Sequence, residues 1–173
     1  MKRTRAMAYC ALFAALIAVF AQLSLPIGPV PISMATFGVM LCGAMLGWKY
    51  GAAAVAVYLL LGLTGVPVFA GFRGGAGVLA GATGGYLIGY LPCALLSGLP
   101  LSSLQKEWVG RCLLMEIGTL ACYALGTAWY MRMSGSAWWS AVGLCVTPFL
   151  PGDAAKILLA AFLTPRLRKA VRL

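Results

Sequence analysis

Residues 66–89 read VPVFAGFRGGAGVLAGATGGYLIG, and eight of these twenty-four positions are Gly, set around one charge, Arg73. Glycines that cradle a nucleotide phosphate would run into Lys-Ser or Lys-Thr, and none follows here, which removes the P-loop reading. Glycine at this density means backbone that folds tightly and comes close to something. Apolar runs at about 51–65 and about 84–101 flank the stretch, so it reads as a loop at the edge of a membrane.

The whole chain fits that setting. It has 173 residues, of which 62% are hydrophobic and only 9% charged, with a mean hydropathy of +0.96. Soluble domains carry about 25% charged residues, so this is an integral membrane protein. About six crossings of ~20 residues fit the length. The unbroken apolar runs exclude the short alternating segments of a β-barrel. The predicted spans are about 6–25, 35–47, 51–65, 84–101, 112–131 and 137–164. The expected fold is therefore all-α, six transmembrane helices in one bundle, as a single membrane domain over 1–173. The Gly-rich loop occupies about 66–84, and Pro26 to Ser33, with three prolines, forms a short turn. Val19-Phe20-Ala21 is a tolerable signal-peptide cleavage site, but a chain of spans calls for a retained first helix.

A net charge of +10 raises the question of nucleic acid. The basic residues sit at segment ends with no interleaved aromatics, so they read as topology signals and no nucleic-acid partner is expected. With the N-terminus inside, Lys2, Arg3, Arg5, Lys49, Lys106, Arg111, Arg166, Arg168, Lys169 and Arg172 are cytoplasmic. Only Arg73 and Arg132 lie outside, and Lys156 falls within a span. Both termini are thus expected in the cytoplasm, with the Pro turn and the Gly-rich loop outside. Trp138 and Trp139 then fall at the outer interface. Cys10, Cys42, Cys93, Cys112, Cys122 and Cys145 show no paired spacing and read as packing residues. With no His and three acids, no donor set for a catalytic metal is expected.

Asp153 and Lys156 are the residues with chemistry to offer. A charge at membrane depth costs about 2.5–3.5 kcal/mol on insertion scales, so each needs a reason to be there. Asp153 lies about 20 Å along the last span from Arg166, in the outer half of the bilayer, and the i, i+3 spacing puts both charges on one face. Pro148-Phe149-Leu150-Pro151-Gly152 interrupts the helix, so Asp153 is expected to open a half-helix with free backbone N–H groups beside it. A structural role, Asp153 as an N-cap paired with Lys156, is compatible with ligand binding. Glu116 is expected to pair with Arg111 or to snorkel. Arg73 either draws an anionic ligand or is solvated surface. Thr83 and Tyr86 offer a hydroxyl and an amphipathic ring where loop meets helix, for a ligand or for packing. Small residues recur at four: Ala11/Ala15, Ala14/Ala18, Gly43/Gly47/Gly51 and Gly81/Gly85/Gly89, each a candidate close-packing face.

At these residues the chain resembles the BioY family, the biotin-binding S components of energy-coupling factor (ECF) transporters. The matching blocks are I27-GPVPIS, T36-FGVML, V66-PVFAG, G81-ATGGYLIG and P148-FLPGDAAK. Ala35 and Ala82 depart from the family's usual Gln and Pro. The resemblance implies a six-helix subunit of the cell membrane that captures biotin from outside. Its partners would be a T component meeting Ala11, Ala14, Ala15 and Ala18, and two cytoplasmic ATPase subunits that hydrolyse ATP. The chain itself would then be neither an enzyme nor a cofactor protein. The resemblance also makes the Gly-rich loop a lid and Asp153 and Lys156 polar ligand contacts. Tyr86, Thr83, Gly84, Gly75 and Arg73 complete the expected pocket, the glycines letting backbone pass close to the ligand. Competing readings are an S component for another vitamin, a structural or assembly subunit, and an intramembrane enzyme using Asp153 as base. The last lacks a second catalytic group.

Overall fold

A computed structural model of the chain describes residues 3–100 and 107–171; Lys2, Lys106 and Arg172 of the charge count, and the end of the predicted fourth span, lie outside these. Seven helices follow in order: α1 (Arg3–Gln22), α2 (Ala35–Leu63), α3 (Ala76–Ala80), α4 (Gly84–Ser97), α5 (Glu107–Ser134), α6 (Trp138–Cys145) and α7 (Leu150–Val171). The helical prediction holds, with one addition. The Pro-rich turn is closed by a ribbon of two short strands, β1 (Ser24–Leu25) and β2 (Ile32–Ser33), paired Ser24 to Ser33 and Leu25 to Ile32. Gly28, at φ 76°, turns the chain between them.

Helices α1, α2 and α5 are each long and apolar enough to cross a membrane, and α6 with α7 passes the same test as a pair bent by 50°. Helix α4 has 14 residues. Helix α2 is not straight. Gly47 sits at φ 80°, ψ 167°, a conformation that side chains resist, and the helical path breaks there. The segments 35–46 and 48–63 fold back on each other, so a Cβ at Gly51 would lie 2.7 Å from the Cα of Gly43. The Gly43/Gly47/Gly51 repeat is therefore not one stripe on one helix: Gly47 is the turn, and Gly43 and Gly51 face each other across it. Likewise Gly81 ends α3, while Gly85 and Gly89 seat α4 against Trp129 and Cys122 of α5.

Polarity is inverted relative to a soluble protein. Leu12, Val19, Leu60, Ile117, Leu120 and Phe162 are exposed, whereas Asp153, Lys156, Thr119, Thr127 and Thr164 are buried. An apolar exterior over a partly polar interior suits a hydrocarbon solvent. Five of the six cysteines are buried and all are free thiols, as packing residues should be. Arg111 does not pair with Glu116; its Nη2 lies 3.6 Å from Glu107, one turn back on α5, and Glu116 is exposed.

Candidate functional site

Helix α7 begins just before Pro151, after the break at residues 146–149, and this start sets Asp153 in its first turn. The break is where the Pro-Phe-Leu-Pro-Gly run placed it. The backbone N–H of Asp153 is nonetheless occupied, donating to the Phe149 carbonyl at 2.8 Å. The carboxylate is met by side chains instead of by free backbone N–H groups. Its Oδ1 accepts from Lys156 Nζ at 2.7 Å and from Thr36 Oγ1 at 3.4 Å, and its Oδ2 accepts from the Tyr123 hydroxyl. Lys156 also donates to the Ser33 carbonyl at 2.7 Å and to Thr36 Oγ1 at 3.2 Å. Its three ammonium protons are thus all engaged. Asp153 is 3% exposed and Lys156 7%, so this is a buried ion pair.

Two cavities with shared walls lie here, the inner one at this cluster. The inner one, with room for about 30 Å³, is lined by Asp153, Lys156, Thr36 and Tyr123. The other, about 40 Å³, lies under the Gly-rich loop and is lined by Arg73, Thr83, Tyr58 and Phe69. Ser33, Tyr86 and Tyr90 line both. Each holds no more than a few waters. Tyr86 is tied down by Thr127 Oγ1 at 3.0 Å and by the Cys145 carbonyl at 3.3 Å. Tyr58 is fully buried, and its hydroxyl has no partner among the described residues.

The loop itself is ordered by local contacts. Phe69 and Arg73 form an antiparallel bridge, α3 lies within it, and Arg73 Nε donates to the Ala70 carbonyl at 3.2 Å. Gln22, at the end of α1, clamps it: Nε2 donates to the Val68 and Phe69 carbonyls, each at 3.2 Å, and Oε1 accepts the Phe72 N–H at 2.9 Å. Phe69 is 1% exposed and packs edge-on against Tyr58, ring centroids 5.5 Å apart.

Of the residues expected at a site, Asp153, Lys156, Tyr86, Thr83 and Arg73 are brought together around the two cavities. Gly75 and Gly84 line neither. Gly75, at φ 94°, turns the loop into α3 and donates to the Gly62 carbonyl at 2.7 Å; Gly84 is packed on the Leu79 carbonyl. Their roles here are turn and close packing. Sequence reasoning missed Tyr58, Tyr90, Tyr123, Thr36 and Gln22. Tyrosine in mid-span, away from the interfaces it favours, was the available signal for the first three. The first-helix alanines divide: Ala14 is 1% exposed and faces the bundle with Ala18, while Ala11 and Ala15 point outward.

The BioY family model matches residues 1–173. The biotin transporter BioY of Thermotoga maritima is 40% identical over 158 residues, covering 91% of this chain and 92% of that protein. The probable biotin transporter BioY of Pyrococcus horikoshii is 39% identical over 158 residues, 91% and 93% of the two chains. A crystal structure of the S-component for biotin from an ECF-type ABC transporter superposes with a TM-score of 0.89 at 32% identity, covering 97% of this chain and 93% of that one.

Proposed function

This chain belongs to the BioY family, and on that premise we propose how it works as the S component that takes up biotin in an ECF-type transporter. The observation that carries the proposal is the buried Asp153–Lys156 pair, facing an inner cavity that shares Ser33, Tyr86 and Tyr90 with the cavity under the clamped Gly-rich loop. Biotin offers a ureido ring with two N–H donors, an apolar ring and chain, and a carboxylate. Asp153 has acceptor capacity beyond its present three donors and suits the ureido N–H groups. Lys156 has no proton to spare. Arg73, lining the lid-side cavity, is then the cation for the carboxylate tail. Tyr86 and Tyr90, which line both cavities, supply flat apolar walls between these ends.

Six crossings are the finer reading of the fold: α1, the two antiparallel halves of α2, α4, α5, and the bent α6–α7 pair. The Lys/Arg asymmetry supports cytoplasmic termini and an extracytoplasmic lid. A T component in the cell membrane and two cytoplasmic ATPase subunits complete the transporter on this reading, with Ala11 and Ala15 as the surface free to meet the T component. No cofactor is assigned to the chain itself.

Equilibrium binding of biotin to the detergent-purified chain tests this, with thiamine and riboflavin as competitors. Saturable binding of biotin that neither competitor displaces is the expected result. Absence of saturable binding would overturn the reading.

A further inference from the structure

A separate cavity of about 460 Å³ lies far from the ion pair. Arg168 lines it, fifteen residues beyond Asp153 on α7, or about 22 Å at 1.5 Å per residue. Its walls come from four elements. Gly47 and Trp48 are the turn of α2, Ser97 and Gly98 end α4, Arg111 opens α5, and Arg168 closes α7. The backbone is pinned where α2 and α4 meet, the Trp48 N–H donating to the Gly98 carbonyl at 3.0 Å.

The polar groups in this cavity are not matched to one another. The Arg111 side chain is only 12% exposed. Burial and the nearby Arg111 guanidinium push the Arg168 pKa down, the mark of two like charges sharing one space. Glu107 lines the cavity too, but its side chain is 74% exposed and 3.6 Å from Arg111, and its attraction offsets the Arg168 shift only in part. Two guanidinium groups against one exposed carboxylate leave the cavity net positive, which calls for an anion from outside.

We propose that this cavity binds the phosphate of an anionic phospholipid headgroup, with the Arg168 and Arg111 guanidinium groups as its donors. Guanidinium forks match a phosphate in geometry as well as charge. Trp48, Leu99 and Pro100 offer the apolar wall that a glycerol and the start of an acyl chain need. Basic pockets between membrane helices bind lipid head groups by this combination. A free phosphate ester shares the chemistry, and the test separates the two sources.

Native mass spectrometry of the purified full chain would compare phosphatidylglycerol with phosphatidylcholine of the same acyl chains, with glycerol 3-phosphate as a soluble competitor. Wild type retains phosphatidylglycerol in preference, and Arg168→Gln weakens that preference about fivefold or more. Arg111→Gln weakens it as well. Biotin binding stays unchanged in both variants, showing that they fold and that the two sites are separate. Displacement of the lipid by millimolar glycerol 3-phosphate keeps the phosphate site and assigns it a soluble ester. Equal retention of both lipids, or a preference untouched in both variants, overturns the proposal.

Discussion

Lys156 Nζ donates to the Ser33 carbonyl at 2.7 Å across 123 positions of sequence, binding the start of α7 to the strand ribbon that precedes α2. The same ammonium holds Asp153 Oδ1 at 2.7 Å. One buried cation therefore both neutralises the site's carboxylate and fixes the ribbon that walls both cavities.

Removing one member of that pair leaves the other charged and unpaired in the bundle. Asp153→Asn and Lys156→Met should each cost about 3–5 kcal/mol of stability. The Asp153→Asn/Lys156→Met double variant should recover most of the melting temperature without recovering biotin binding. Thermal melts beside equilibrium binding check both halves. A double variant that binds biotin normally would remove the pair from the site.

Arg73 can be tested by changing the ligand. Biotinamide lacks the carboxylate charge and should bind wild type about tenfold more weakly than biotin, one charge-assisted hydrogen bond being worth about 1.5 kcal/mol or more. In Arg73→Gln the two ligands should bind alike. A discrimination that survives the substitution would assign the tail to another group.

Tyr58 carries a buried hydroxyl with no partner among the described residues. Tyr58→Phe should leave the ligand-free melting temperature unchanged or raised, since an unsatisfied buried donor costs about 1–3 kcal/mol. Biotin affinity should fall about five- to tenfold if the ligand supplies the missing acceptor. Calorimetric titration of the variant provides the number.

The lid is seated through Phe69. A Cβ at Gly62 would fall 2.0 Å from the Phe69 ring, so Gly62→Ala should unseat that ring and cost about 1–3 kcal/mol, with faster biotin dissociation. Gly77→Ala, within α3 and with open space around its Cβ, should be silent. Dissociation rates measured by chase with unlabelled biotin separate the two.

The divided alanine faces make opposite predictions one position apart. Ala15→Trp should keep biotin binding but abolish co-purification with a coproduced T component and ATPase subunits. Ala14→Trp forces an indole into a position 1% exposed and should compromise folding itself.

Much of this was legible in the residues. The break ahead of Asp153 follows from its prolines, and the shared face of Asp153 and Lys156 follows from their spacing. The arrest at Gly47 was visible only as a gap between two short runs, because nothing local distinguishes a tight reversal from a longer loop. Tyr123 and Thr36, 30 and 117 positions from Asp153, are tertiary partners with no periodic signature. Arg111's choice of Glu107 over Glu116 turns on which face of α5 each acid occupies. Gln22 offered only a polar side chain at a helix end, where polarity is ordinary.

That glutamine has a mechanical consequence. It is the last residue of α1, and its amide grips the lid backbone at Val68, Phe69 and Phe72. Ala11 and Ala15 project from the same rod, two to three turns below. A protein that leans on those alanines and tilts the rod pulls on the lid's only side-chain grip from α1 among the described residues. Linkage then requires reciprocity: by whatever factor docking loosens the captive ligand, the captive ligand discourages docking.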